Sequence, residues 1–282
     1  MSRPIFVFVH GTHSSAAAWT DLVNELTLRG HRCVTVDLPG HGTNGFFPHS
    51  YQAPQDLRGL ATEPSPLASL TLDDYVDHTI SVVRRARELG PVILVGASQG
   101  GVTLSRVGNA VPELLERVVY VSAYCCVDLP SMADYFATPE NSESLVDQVT
   151  KAVAGDPAAL GVARVNWRTA DPDLIAGIKE CLAADFTDEA MHNLLNHFQP
   201  DEPVAIPASD ARGHADTWGR IPRTYVRFTE DRLIPLALQD RFIAEADRLT
   251  PENPTDVHDI PAPHVGPMSR PDLIDVLATL AQ

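Results

Sequence analysis

Short apolar runs alternate along this chain with segments of helical period. Residues 5–9, 33–37, 92–95, 117–122, 224–228 and 255–259 are the runs that predict strands. Most are close to continuously hydrophobic, as expected for strands covered on both faces. Between them, residues 16–29, 73–89, 99–111, 235–249 and 270–281 read as helices; in the second, Leu72, Val76, Ile80 and Val83 recur at helical spacing. Thr71 and Asp74 form a capping box at its start, and Ser269 and Asp272 repeat the device before the last helix. Strand–helix alternation of this kind predicts an α/β fold with a mostly parallel sheet and crossover helices.

Two stretches break the alternation. Residues 43–70 are rich in Pro, Ser, Gly and His and read as a long surface loop. Residues 128–216 carry helical patterns at 144–154, 172–184 and 187–198 but no convincing strand. They are expected to form a helical lid inserted into a core made of residues 1–127 and 217–282. Such an insertion would lie over the C-terminal ends of the strands, where open α/β sheets bind ligands.

The chain has 282 residues, 44% hydrophobic and 21% charged, which suits one large globular domain. Its formal charge of −16 argues against nucleic acid and anionic membranes as partners. No signal peptide is apparent before the first strand, and no apolar run approaches the ~20 residues that span a bilayer. Cys33, Cys125, Cys126 and Cys181 form no C-x-x-C pair. Free thiols in the cytoplasm are the expectation.

The candidate chemistry centres on Gly96-Ala-Ser98-Gln-Gly100, which joins the run 92–95 to the helix 99–111. A Gly-x-Ser-x-Gly at a strand–helix turn is the context of a nucleophile elbow. The bend strains the serine backbone, and side chains at 96 and 100 would collide with the neighbouring helix and strand. A serine hydroxyl is a weak nucleophile, so it needs a base and an acid to orient the base. On nucleophile elbows these follow in the order Ser, acid, His. His264, after the last strand, is the candidate base, whereas His258 reads as a strand side chain. Asp231, after the strand 224–228, is the candidate acid, with Glu230 and Asp128 as alternatives. Two backbone N–H groups would hold an oxyanion, one from Gln99 and one from Thr12 in the loop after the first strand; Gly11 lets that loop approach closely. His10 and His13 have no third ligand at metal spacing, so no metal is expected. His10 is expected to pack beneath the loop, and His41 to serve structure. Trp167, Trp218, Phe136 and Phe198 are candidates for an apolar pocket under the lid.

Together these segments resemble the α/β-hydrolase superfamily over essentially the whole chain. The patterns are His10-Gly-Thr12, Asp37-Leu-Pro-Gly-His-Gly42, the elbow and the late His264. Within the superfamily the chain more closely resembles plant methylesterases of the salicylate-binding type and hydroxynitrile lyases, with their bacterial relatives. Supporting segments are Phe198-Gln-Pro-Asp-Glu-Pro203 and Thr229-Glu-Asp-Arg-Leu-Ile-Pro235, with Gln239 beyond. The resemblance implies Ser98, Asp231 and His264 as the triad and the Thr12 and Gln99 amides as the oxyanion hole. It also implies a pocket at Gly11, His13 and Val265, and no cofactor. The lyases carry a threonine where this chain has Gly11 and a lysine where it has Val265, which argues against cyanohydrin chemistry. The expected activity is hydrolysis of a small-molecule ester, methyl ester or lactone. Alternatives are a cyclase or lyase on the same fold, or a ligand-binding protein with a vestigial triad. Analogy with the family suggests a homodimer.

Overall fold

The computed structural model describes residues 3–265 and 270–281. Its strands are β1 (Ile5–Val9), β2 (Arg32–Val36), β3 (Val92–Ser98), β4 (Leu115–Ala123), β5 (Val162–Arg164), β6 (Asp201–Pro203), β7 (Arg223–Phe228) and β8 (Asp256–Ile260). Six of them form one sheet in the order β2-β1-β3-β4-β7-β8, and every neighbouring pair is parallel. The main helices are α1 (Thr20–Leu28), α2 (Leu72–Arg87), α3 (Gly100–Ala110), α4 (Pro172–Leu182), α5 (Asp188–His197), α6 (Leu236–Leu249) and α7 (Pro271–Leu280).

The continuous apolar runs divide by alternation between two cores. Ile5, Val7 and Val9 of β1 join Val92 and Leu94 of β3 beneath α2, α3 and α6. Phe6, Phe8, Ile93 and Val95 face the other way, against Leu22 and Leu26 of α1 and Leu273 and Leu277 of α7. Each such side chain, removed wholly from water, contributes roughly 1.5–3 kcal/mol. The capping box at Thr71 forms, with the Thr71 N–H donating to Asp74 at 2.8 Å. The matching Ser269 device lies outside the described residues.

Chain order reverses between β1 and β3: β2 lies on one side of β1 and β3 on the other. That switch point opens a crevice at the strand C-termini, and the loop after β1 and the end of β3 both flank it. The β3–β4 register also shifts at Ala97/Ser98, where the strand gives way to the elbow.

Two expectations need correction. Residues 43–70 are not simply a surface loop. They hold the short helix Leu57–Leu60, and Tyr51, Leu60 and Leu67 are buried. The segment between β4 and β7 holds α4 and α5 but also the antiparallel pair β5–β6. Three-residue strands are too short to carry a period, and Asp201-Glu-Pro203 has no strand propensity to read. The fully buried Arg164 holds them instead, with Nε and Nη2 on the Asp201 carboxylate at 2.6 and 2.8 Å. Its remaining nitrogen, Nη1, donates to the Leu60 and Glu63 carbonyls and so moors the 43–70 segment. The segment between β4 and β7 has its own apolar core, which includes Trp167, Ile178, Met191 and Phe198. Among the described residues, no helix is long and apolar enough to cross a membrane. All four cysteines are free thiols.

Candidate active site

The elbow geometry follows from its glycines. Ser98 has φ of 54°, in the left-handed region that costs non-glycine residues strain. A Cβ on Gly96 would meet Leu104 at 2.5 Å, and one on Gly100 would meet the His10 carbonyl oxygen at 2.8 Å. With neither present, α3 packs directly behind β3 and the Ser98 side chain is presented at the crevice.

The structure brings Ser98, His264 and Asp231 together in one buried line. His264 Nε2 lies 3.0 Å from Ser98 Oγ, and Nδ1 lies 2.6 Å from Asp231 Oδ2. A carboxylate can only accept, so Nδ1 carries the proton and Nε2 is left to accept from the serine hydroxyl. Asp231 is itself held on all sides. Its Oδ1 accepts the Leu233 and Ile234 N–H groups at 2.7 and 2.8 Å, and its Oδ2 accepts the Ser122 hydroxyl at 2.6 Å. Ser122 carries no signal in the sequence, because its partner is 109 positions away. Backbone bonds tie the loops together: Glu230 N–H to the Ala262 carbonyl, and Val265 N–H to Leu182 of α4.

The other candidate acids and bases lie elsewhere. Asp128 pairs with Arg248 at 2.5 Å on the surface, and Glu230 is exposed. His258 pairs with Asp256 on the edge strand β8.

The loop after β1 closes the crevice from the opposite side. A Cβ on Gly11 would lie 2.9 Å from Ser98 Cβ, so only glycine lets the loop lie this close. Among the described residues, neither the Thr12 nor the Gln99 backbone N–H donates to another protein group. Both residues line a cavity of about 310 Å³ beside Ser98 and His264. Gly11, His13 and Val265 line it too, as do Trp167, Phe136 and Phe198. Trp218 does not: it packs in the sheet core and donates from Nε1 to the Tyr120 hydroxyl at 2.8 Å.

His10 and His13 are structural ties. His10 donates from Nδ1 to the Gly11 carbonyl and accepts the Leu38 N–H at Nε2. Burial, and then the neighbouring His41, push its pKa down to about 4, so it stays neutral. His13 sets its ring edge-on to Trp167, and its Nδ1 donates to the Gln199 carbonyl. Burial lowers its pKa as well.

Sequence reasoning did not assign any role to Glu202. This residue of β6 is buried in the cavity wall, and its oxygens accept from His13, His41, Tyr75 and Gln99. The flanking prolines in Gln199-Pro-Asp-Glu-Pro203 were the sole local signal of a constrained backbone there.

A family model described as an alpha/beta hydrolase family matches residues 6–274. The chain is similar to a putative chloroplastic methylesterase of Arabidopsis thaliana, at 24% identity over 84% of this chain and 55% of that one. It is also similar to a pyrethroid hydrolase of Sphingobium wenxiniae, at 24% identity over 98% of this chain and 86% of that one. The solved structure of a pyrethroid hydrolase from Sphingobium faniae superposes with a TM-score of 0.73 at 18% identity, covering 100% of this chain and 98% of that one. That likeness shows the fold alone. The chain spans about half the length of the first curated relatives it matches: 40%, 55% and 48% of three methylesterases.

Proposed function

Since the chain belongs to the alpha/beta hydrolase family, we propose that it is a serine hydrolase of small to medium, partly hydrophobic carboxylic esters, methyl esters and lactones among them. Ser98 Oγ attacks the acyl carbon while His264 Nε2 takes its proton. Asp231 keeps the imidazole in the required tautomer and stabilises the imidazolium as it forms. The Thr12 and Gln99 amides hold the tetrahedral oxyanion, which collapses as His264 protonates the departing alcohol. Water, deprotonated by His264, then cleaves the acyl-enzyme and regenerates Ser98. The 128–216 segment acts as a lid that keeps bulk water from this chemistry.

The observation that carries the reading is the continuous path from Ser98 Oγ through His264 to Asp231, at 3.0 and 2.6 Å. The cavity supports the substrate class. Its walls are apolar side chains such as Val149, Val165, Leu182 and Leu233, and about 310 Å³ sits at the lower end of pockets for small organic ligands. The relatives named as methylesterases and a pyrethroid hydrolase support an ester as the bond cleaved.

The test is a panel of p-nitrophenyl and methyl esters of varied acyl and alcohol length, run on the wild type and Ser98→Ala. Wild-type turnover that Ser98→Ala abolishes supports the reading. A wild type inert to the whole panel, or a Ser98→Ala variant that retains its rate, overturns it.

A further inference from the structure

We infer that Glu202 is a positioning residue for the oxyanion hole, tying together the two segments that supply its amides, with His41 as its buried counter-ion. This rests on the reading of Thr12 and Gln99 as the oxyanion donors.

The contacts are specific. Glu202 Oε2 accepts the His13 N–H at 2.8 Å, one residue beyond Thr12. Its Oε1 accepts the Gln99 side-chain amide at 2.8 Å. One carboxylate therefore spans from the β1 loop to the residue that follows the nucleophile. The Tyr75 hydroxyl donates to Oε1 at 3.1 Å, and His41 Nε2 lies 3.1 Å from Oε2. Four donors occupy its two oxygens, so although Glu202 lines the cavity it has little capacity left to act as a base on substrate.

His41 supplies the charge balance. Its Nδ1 lies 3.1 Å from the Pro39 carbonyl, an acceptor, and its Nε2 faces the carboxylate. Nδ1 also lies 3.4 Å from the Tyr75 hydroxyl, whose proton goes to Glu202, so both ring nitrogens face acceptors and the ring is held as an imidazolium. Burial alone would lower its pKa, but the Glu202 charge and hydrogen bond reverse this and raise it. Burial alone would raise that of Glu202, and His41 followed by His13 instead hold it well below the usual carboxylate range. A lone carboxylate at 4% exposure would be expensive; paired and fully hydrogen-bonded, it can serve as a rigid strut.

The strut matters because oxyanion donors work only within about 2.7–3.1 Å of the developing charge, and misplacement by about 1 Å can cost on the order of 10²-fold. In Glu202→Gln, an –NH₂ at either position would confront donors: His13 and His41 on one side, Gln99 and Tyr75 on the other. The Gln99 carboxamide can meet that –NH₂ only by turning over so that its oxygen accepts, and the contacts to Gln99 and the His13 N–H become neutral hydrogen bonds in place of charge-assisted ones, which loosens the tie.

The experiment compares wild type, Glu202→Gln, Gln99→Met and the double variant, with kcat and KM measured on one small ester and folding checked by thermal unfolding. Glu202→Gln is expected to lose kcat by about 30- to 100-fold with KM held within about threefold, the pattern of an interaction that matters in the transition state. The double variant should be no slower than the worse single variant by more than about threefold, since both changes cut the same tie. A folded Glu202→Gln with wild-type kcat overturns the inference, as do losses that multiply in the double variant. Should Glu202→Gln fail to fold, Gln99→Met decides: a kcat loss of about tenfold supports the tie and an unchanged kcat overturns it. A wild type that turns over no ester overturns the parent reading and this one with it. An active wild type with undiminished Glu202→Gln overturns this one alone.

Discussion

Gly11→Ala tests how closely the β1 loop must approach the nucleophile. An added Cβ would lie 2.9 Å from Ser98 Cβ, 3.2 Å from the Ala97 carbonyl oxygen and 3.5 Å from Ser98 Oγ. Carbon–carbon contacts settle near ~3.5–4.0 Å, so the loop must withdraw by roughly 0.5–1 Å. The two close atoms, Ser98 Cβ and the Ala97 carbonyl oxygen, are not flexible side-chain ends that could yield. Such a withdrawal carries the Thr12 amide beyond the ~2.7–3.1 Å range in which it can stabilise an oxyanion. Losing one such donor costs about 10²–10³ in kcat, or ~3–4 kcal/mol of transition-state stabilisation. Binding of a small ester makes little use of that amide, so KM should change by less than about threefold. The assay is steady-state hydrolysis of p-nitrophenyl acetate, with circular dichroism to establish that the variant is folded. A folded Gly11→Ala enzyme with kcat within about threefold of wild type would refute the reasoning.

Three further outcomes follow from the geometry. In Asp231→Asn, the amide oxygen must face the Leu233 and Ile234 N–H groups, so its –NH₂ turns to His264 Nδ1 and fixes the wrong tautomer; kcat should fall by about 10⁴, and a loss under about tenfold would contradict this. Arg164→Met strands the buried Asp201 carboxylate and should cost about 3–5 kcal/mol in urea unfolding, with part recovered in Arg164→Met/Asp201→Leu; a cost below about 1 kcal/mol would contradict it. Burial pushes the His10 pKa in the folded protein down to about 4, below the ordinary histidine value of about 6.5, so between these values the unfolded chain binds more protons and stability falls as pH falls. The loss attributable to His10 approaches about 3 kcal/mol by pH 4, and unfolding curves of His10→Gln should show a correspondingly shallower pH dependence; identical profiles would contradict it.

The parts of the fold that were legible in the sequence are those whose physics is local. The β1 and β3 runs could be read because strands covered on both faces need nearly every residue apolar, and the elbow because its glycines sit at fixed spacing. His264 and Asp231 were legible through their order after particular strands. The remainder depends on partners far apart in the chain. Ser122 reaches Asp231 across 109 positions, and Gln99 reaches Glu202 across 103. The pair β5–β6 is held by a buried ion pair rather than by strand propensity, so no apolar period marks it. Trp218 reads like any pocket tryptophan until its indole N–H is seen to end on Tyr120 in the sheet core.

The account turns on a hydroxyl at Ser98 made reactive by His264. Labelling the intact protein with a fluorophosphonate, followed by mass mapping of the modified peptide, tests that most directly. One adduct per chain, on the peptide that carries Ser98, lost in Ser98→Ala and slowed by orders of magnitude in His264→Ala, is the result expected. A protein left unlabelled, or labelled equally well without His264, would contradict the account.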